Sequence, residues 1–329
     1  MKISVIIPVF NEEKILPALR KRLSDVLAAL KDQYEIVCVD DASTDKSSAF
    51  IRSWMSEDPR VVLLELSRNF GHQQAIAAGL RESTGDCVVI LDADLQDPPE
   101  LIPQLVAKWQ QGFKVVLAER ILRRDSFVRS IFFNLFYKIF VLVSDLPILI
   151  NSGVFGLMDR VVVDYLVNLQ ERSRFLPGLR SWVGFETASI QYERAERLNG
   201  KPKVSLKRLF RYGFDAIFSF SYKPIRVGFV LGCIISTLSF FYGAVLVIRR
   251  LLNIDVVPGF TTPTVAIFFI GGLLLVSNGI IGEYLARIYD EVKRRPLFIV
   301  ARKVTNAQGR GLTVEEINPF RKTEESKHS

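Results

Sequence analysis

At 329 residues with 49 % hydrophobic side chains, the chain is longer than one average domain and too apolar to be an ordinary soluble enzyme throughout. Its 43 Lys and Arg against 35 Asp and Glu give a net charge of +8, which suits an anionic partner (a nucleotide, a lipid phosphate or an acidic leaflet), although solvated surface and basic membrane flanks give the same sign. Cys38, Cys87 and Cys233 lie in apolar runs without metal-type spacing, which excludes a disulfide framework, predicts buried reduced thiols and puts the globular part in the cytoplasm.

Residues 3–9 (ISVIIPV) are too short for a signal peptide and run into a polar turn. They read as a first strand, followed by candidates at 35–40, 61–66, 86–91 and 114–118. Most are near-continuous Val, Ile and Leu, the pattern of strands buried on both faces. Between them, 12–31, 45–56, 72–82 and 99–110 have helical length and periodicity. Ser43, Thr44 and Asp45 offer caps for the second helix, and Asp97 before Pro98 and Pro99 offers one for the fourth. Repeated βα units predict an α/β fold with a parallel, doubly wound sheet and helices on both faces. Ligands of such sheets bind at the carboxyl ends of the strands. Polar motifs follow the first, second and fourth strands. No G-x-G-x-x-G follows the first strand, which argues against an ordinary dinucleotide-binding domain.

Residues 127–150 are apolar but interrupted by Arg129, Lys138, Asp145 and Pro147, and read as a helix lying on the membrane or against the catalytic domain. Residues 204–222, with Lys207, Arg208 and Arg211 among aromatics, read as an interfacial helix. Two later segments, 227–248 and 263–282, are long and apolar enough to cross a ~30 Å hydrocarbon core. Basic residues flank the pair on both outer sides, which places the flanks and the catalytic domain in the cytoplasm; Arg249 and Arg250 between the spans argue weakly the other way. Gly271 and Gly272 permit close helix approach, and with it a homo-oligomer. The expected division is a catalytic domain at 1–222, a two-helix transmembrane anchor at 223–286 and a cytoplasmic tail at 287–329, polar and loose from about 305.

The sharpest chemical signal is LDADLQDPPE at 91–100. Asp92 and Asp94 are two residues apart in extended chain, so their side chains point the same way. Such a carboxylate pair is costly unless a cation lies between its members, and hard oxygen donors suit Mg²⁺ or Mn²⁺ shared with a diphosphate. A solvated turn is the plainer reading of the same residues. In VDDASTD (39–45), Asp40 and Asp41 can accept from a base N–H or ribose hydroxyls; in PVFNEE (8–13), the turn after the first strand can wall a nucleobase pocket. Helix capping explains part of both. His72 reads as a supporting or surface residue, and with His328 in the tail a histidine metal site is not expected.

PVFNEE, DDASTD, SRNFGHQQAIAAG (67–79), DADLQDPPE and ERSRFLPGLRSWVG (171–184) together resemble the inverting, family-two glycosyltransferases with a GT-A fold. With the two following spans, the chain is similar to their polyprenyl-phosphate branch, which includes dolichyl-phosphate mannose synthases and bactoprenol glucosyltransferases. The resemblance runs from Lys2 to about Pro296. It implies a metal-dependent transfer from a UDP- or GDP-sugar to polyprenyl phosphate at the cytoplasmic face of the inner or plasma membrane. The product would serve cell-envelope or glycan modification, such as that of lipopolysaccharide. No nucleic-acid partner is implied. By resemblance, Asp92, Asp94 and Gln96 hold the metal, and Pro8, Phe10, Glu12 and Asp41 line the nucleotide pocket, with Asp40 as the alternative to Asp41. Arg120 faces the sugar or lipid phosphate, Arg172 and Arg174 belong to the ERSRF segment, and Arg197 and Lys203 match a basic R-x-x-G-x-[ST]-K segment near the acceptor phosphate. Asp94, Arg120 and Arg197 are the expected catalytic residues.

Two departures stand out. Many bacterial members carry G-D-F-R-L-M where this chain has Gly153-Val154-Phe155-Gly156-Leu157-Met158, and Pro202 replaces the Ser or Thr of the basic segment. Ser152-Gly153-Val154-Phe155-Gly156 looks closer to the mannose-synthase pattern, which also lacks that Asp. Alternatives from the sequence are a membrane glycosyltransferase with a non-prenyl lipid or glycan acceptor, and a catalytically silent nucleotide-sugar-binding scaffold. Absence of Q-x-x-R-W argues against a processive polysaccharide synthase.

Overall fold

A computed structural model of the chain describes residues 1–30, 32–120, 152–169, 171–172, 174–193, scattered positions between 225 and 252, 261–306 and 311–316. The first five strands and four helices lie close to where periodicity puts them. They are β1 (Lys2–Val9), α1 (Leu16–Ala29), β2 (Gln33–Asp40), α2 (Ser47–Glu57), β3 (Val61–Leu66), α3 (His72–Glu82), β4 (Cys87–Ile90), α4 (Ile102–Gln110) and β5 (Val115–Arg120). β1 is buried at every position after Lys2 because helices cover both of its faces. Ile3, Val5, Ile7 and Val9 pack in one cluster with Leu16, Leu19, Leu23 and Leu27 of α1, Trp54 of α2 and Leu105 of α4. The opposite face meets α3, where Gly79 is required: a Cβ there would lie 2.4 Å from Ile6 Cγ2. Each large aliphatic side chain buried this way stabilises the fold by roughly 1.5–3 kcal/mol.

Downstream come β6 (Ser152–Asp159), α5 (Arg160–Asn168), α6 (Leu176–Val183), β7 (Thr187–Tyr192), α7 (Thr261–Val292), β8 (Val300–Asn306) and β9 (Leu312–Glu316). The strands form one sheet of order β7-β5-β6-β4-β1-β2-β3-β8-β9. The expected all-parallel sheet is therefore corrected to a mixed one. β4, β1, β2 and β3 are parallel neighbours, but β6 runs antiparallel between β4 and β5. Gly156 permits this insertion, since a Cβ there would stand 2.6 Å from the Val116 carbonyl oxygen of β5. The segment expected as a loose tail is also corrected. β8 pairs antiparallel with β3, and β9 with β8, so Val300–Asn306 and Leu312–Glu316 extend the sheet. Lys303 Nζ reaches Glu82 at 2.8 Å and Asn306 Nδ2 donates to the Met55 carbonyl at 2.8 Å, which fixes the return.

The chain divides into two compact units, Met1–Arg129 with Leu146–Ser205 and Arg295–Ser329, and Ser130–Asp145 with Leu206–Arg294. The sheet belongs to the first. In the second, one helix among the described residues, Phe269–Val292, is long and apolar enough to cross a membrane, with mean hydropathy 1.5 and none of its apolar window buried. It runs ten residues past 282, the limit expected from composition, through an i,i+4 pair of Arg287 and Glu283 at 2.9 Å. Of the first expected span only scattered positions are described; these are helical. The segments 127–150 and 204–222 lie outside the described residues. Cys38 and Cys87 are buried, and burial pushes both thiols up to about 12. Cys233 is exposed, against expectation, because its apolar run faces outward instead of into a core.

At the edge of the sheet away from the polar motifs, Glu35 accepts from Lys2 Nζ at 2.7 Å, Ser4 Oγ at 2.6 Å and the Thr84 amide at 2.6 Å. Burial alone would raise its pKa, but these donors outweigh burial and hold it below the ordinary glutamate value. Its contribution is therefore present in full above the unfolded-state pKa and is lost as pH falls through the lower folded value. Glu35→Ala should cost about 1 kcal/mol at neutral pH, because the buried Ser4 hydroxyl loses its acceptor while Lys2 and Thr84 can turn to water. Urea midpoints of the two proteins measured down the acid limb should converge.

Candidate active site

Because β4, β1 and β2 are adjacent and parallel, the turns that follow them meet at one edge of the sheet. The turns after β1 and β2 interlock. The amides of Asn11, Glu12 and Glu13 donate to Ser43 Oγ at 3.0 Å, Ser47 Oγ at 2.9 Å and Asp45 Oδ2 at 3.1 Å. In return the Thr44 amide donates to Asn11 Oδ1 at 2.8 Å and the Lys46 amide to Glu13 Oε2 at 3.0 Å. Asp45 also takes the Ser47 amide at 2.9 Å, so it serves the start of α2 as the capping pattern predicted. Much of PVFNEE and DDASTD thus builds a floor for the site. Pro8 lies level with Val39 in the ladder, Phe10 stands out from the edge at 46 % exposure, and the Glu12 carbonyl starts α1.

Asp40 and Asp41 are both buried, and they act differently. Asp40 takes the Ser43 amide of its own turn at 3.1 Å. Asp41 reaches across to the loop before α3, accepting the Phe70 amide at 2.7 Å and the Gly71 amide at 2.8 Å. Gly71 has φ +102°, a conformation that other residues adopt only with strain, and it turns both amides toward the carboxylate. Burial raises the pKa of both aspartates, and the amides only partly offset it. Asp41 therefore fixes the loop before α3 through this clip. One residue on, His72 Nε2 lies 2.9 Å from Asp92 Oδ1. Burial lowers the histidine's pKa, but Asp92, Asp94 and Asp41 together raise it above its ordinary value. His72 thus supports the acidic edge, the role its position in the sequence suggested. Gln73 Oε1 accepts the Leu176 amide at 3.2 Å, linking the same turn of α3 to the start of α6.

Asp92 and Asp94 follow β4, and Asp94 Oδ1 accepts the Gln96 amide at 3.1 Å. Among the described residues, no group of three or more His, Cys, Asp or Glu side chains gathers into a metal cage. Two carboxylates with a nearby amide side chain fit a hard cation that keeps waters and shares phosphate oxygens, since Mg²⁺ is bound through one or two protein carboxylates in such sites. The donor set does not fit a closed, soft-ligand site. Asp92 and Asp94 would hold the ion, with Gln96 next to them in the turn.

Asp97 corrects an expectation. It does not cap α4; a short 3₁₀ turn at Pro99–Leu101 intervenes. Its fully buried carboxylate instead takes Arg120 Nη2 at 3.3 Å and the Tyr192 hydroxyl. Arg172 donates to the Arg295 carbonyl, and Arg174 donates to the carbonyls of Leu166, at 2.7 Å, and Leu169, where it closes the end of α5. Arg197 and Lys203 lie outside the described residues. Arg180 was not singled out from the sequence. It is buried, donates to the carbonyls of Gly153 at 2.7 Å and Val154 at 3.2 Å, and burial pushes its pKa down to about 10. Its sole sequence signal is a cation inside the apolar run LPGLRSWVG.

Residues 4–166, which span β1 to α5 and every aspartate above, match the family described as Glycosyl transferase family 2. An uncharacterized glycosyltransferase of Synechocystis sp. is 42 % identical over 92 % of this chain and 95 % of its own length. The chain belongs to glycosyl transferase family 2. The uncharacterized glycosyltransferase YkcC of Bacillus subtilis is 40 % identical over 90 % of this transferase and 92 % of its own length. An SfII prophage-derived bactoprenol glucosyl transferase of Shigella flexneri is 40 % identical over 91 % of this transferase and 97 % of its own length. These likenesses agree with the α/β, GT-A-like mixed sheet and identify an enzyme that transfers glycosyl groups.

Asp41→Ala in this transferase leaves the Phe70 and Gly71 amides without their acceptor. A loss of about 2 kcal/mol is expected, concentrated in the loop before α3. Hydrogen exchange read by mass spectrometry should rise over 67–72 and stay unchanged in β1. Uniform exchange across the sheet would contradict the clip.

Proposed function

We propose that the transferase moves a sugar from a UDP- or GDP-sugar to polyprenyl phosphate at the cytoplasmic face of a membrane, with Mg²⁺ or Mn²⁺ at Asp92 and Asp94. The observation that carries this reading is the shared carboxyl edge of β4, β1 and β2, where Asp92 and Asp94 follow β4 and Asp41 follows β2, in a chain 40 % identical over 91 % of its length to a bactoprenol glucosyl transferase. A helix long and apolar enough to span a bilayer, followed by Lys293, Arg294 and Arg295, supports the membrane location and, by the positive-inside rule, the cytoplasmic face.

The chemistry follows from the acceptor. A phosphate monoester has a second pKa near ~6, so its oxygen is already largely anionic at neutral pH and needs little general-base help. Val154, where many bacterial relatives carry Asp, is compatible with such a nucleophile. The lipid phosphate oxygen attacks C1 of the sugar from the side opposite the nucleotide. The C1–O bond to the diphosphate breaks, its electron pair leaves with the nucleoside diphosphate, and configuration at C1 inverts. A divalent cation bound at Asp92 and Asp94 supplies charge neutralisation for that leaving group. The floor built by Asn11, Ser43 and Asp45 and the clip from Asp41 hold the donor in line. Arg120 faces the phosphate charge, and Arg197 and Lys203 are assigned to the acceptor head by motif alone. In this reading 223–286 anchors the enzyme, so that a soluble donor and a membrane-bound acceptor meet at one surface.

Purified full-length protein in detergent with undecaprenyl phosphate, Mn²⁺ or Mg²⁺ and a panel of UDP- and GDP-sugars tests the proposal. Lipid-linked sugar and nucleoside diphosphate should appear together from one donor and vanish on adding EDTA. Asp94→Ala should lower turnover about 100-fold or more while the Tm stays within a few degrees. Full turnover in EDTA would exclude the metal-assisted mechanism, and transfer to diacylglycerol in preference to polyprenyl phosphate would exclude the acceptor.

A further inference from the structure

Arg120 ends β5, and its guanidinium sits in a built slot. Its Nε donates to the Tyr192 hydroxyl at 3.1 Å and its Nη2 to Asp97 Oδ2 at 3.3 Å, while the Tyr192 hydroxyl itself donates to the other oxygen of Asp97. Asp97 has no solvent exposure and Tyr192 only 6 %. A buried carboxylate of this kind is stable only when paired and hydrogen-bonded, and here both of its oxygens are engaged. Phe155 meets the Tyr192 ring edge-on, with centroids 6.0 Å apart, and fixes its orientation. Gly153 forms the last wall: a Cβ there would come within 2.6 Å of Arg120 Nη2. The Gly153 carbonyl is held from behind by Arg180 Nη2 at 2.7 Å.

The slot is tied to the turn that carries the proposed metal ligands, because Asp97, which Arg120 Nη2 bonds at 3.3 Å, follows Asp94 by three residues. Burial lowers the Arg120 pKa, but Asp97, Tyr192 and then Asp92 raise it above the ordinary value. A quarter of its side chain, 26 %, remains exposed, against none for Asp97. One edge of the guanidinium is thus locked into the protein while the side chain as a whole still reaches solvent. Neither local helix capping nor a surface ion pair needs a tyrosine that both accepts from the arginine and donates to its carboxylate partner.

We propose that Asp97 and Tyr192 are positioning residues that hold the Arg120 guanidinium at the turn carrying Asp92 and Asp94, so that it meets the diphosphate of the nucleotide donor. This rests on the nucleotide-sugar part of the proposed function and not on its acceptor. Tyr192 relays the orientation from Asp97 to Nε, and Gly153 with Arg180 closes the slot behind. The predicted contact to the diphosphate is charge-assisted, and a tilt of the guanidinium weakens it without removing the charge.

A double-mutant cycle separates this role from plain structural support. Mn²⁺-UDP and Mn²⁺-GDP are titrated by calorimetry into the full-length protein, Tyr192→Phe, Arg120→Lys and the double variant, with the Tm of each recorded. Tyr192→Phe should lower the Tm by a similar amount in either background, because a buried carboxylate oxygen loses its donor, but should weaken nucleoside diphosphate binding about tenfold in the parent and less than about twofold in the Arg120→Lys background. Asp97→Asn, which keeps an acceptor for the tyrosine, should reproduce the pattern. An equal loss in both backgrounds, or no loss in either, would overturn the proposal. Binding needs no acceptor, so an incorrect polyprenyl assignment shows separately as absent transfer with the cycle intact. A parent chain that binds neither nucleotide would sink this inference and the donor assignment together.

Discussion

Asp40, Asp41, Asp92, Asp94 and Asp97 crowd one edge of the sheet because β4, β1 and β2 are parallel neighbours whose following turns share that edge. Like charges so close would destabilise the fold unless each is engaged. The chain meets this constraint in stages. Asp40 and Asp41 take backbone amides, Asp92 takes His72, Asp97 takes Arg120 and Tyr192, and Asp94 takes the Gln96 amide. The loop before α3, the start of α3 and the end of β5 owe their places to these bonds. In the proposed function, a cation and a diphosphate would add to an electrostatic arrangement that is already half built.

Much of this was legible in the residues. β1 to β5 announce themselves as unbroken aliphatic runs, and the D-x-D pair follows the right strand. β6 was hidden because Gly153 and Gly156 dilute its strand signal, and those glycines are required by Arg120 and by the β5 backbone. β7, β8 and β9 are outer strands with polar or basic alternation, as edges often are, so their composition resembles a loop. Asp97 was misread as a cap because D-P-P carries local capping chemistry, whereas its partner Tyr192 is 95 residues away. Local pattern predicts local bonds, and long-range pairing within the site escapes it.

The basic residues sort in a similar way. Singly, each reads as surface charge. In the fold, Arg174 and Arg180 serve main-chain carbonyls, while Arg120 alone among the described arginines bonds both Asp97 and Tyr192. The ERSRF segment thus contributes through backbone support at least as much as through charge. Val154 fits the same economy: it is buried, and its carbonyl, not its side chain, is what Arg180 uses.

The return of β8 and β9 to β3 carries a consequence for synthesis. β3 presents an open edge from the moment the first hundred residues emerge until β8 arrives, and α7 is made in between. An uncovered parallel edge is a template for pairing with other chains. The nascent enzyme thus carries an adhesive seam throughout the synthesis of its apolar helix. Cutting the chain before that helix to obtain a soluble catalytic piece would make the seam permanent, so aggregation of the fragment would report a missing strand pair as well as any apolar segment it retains.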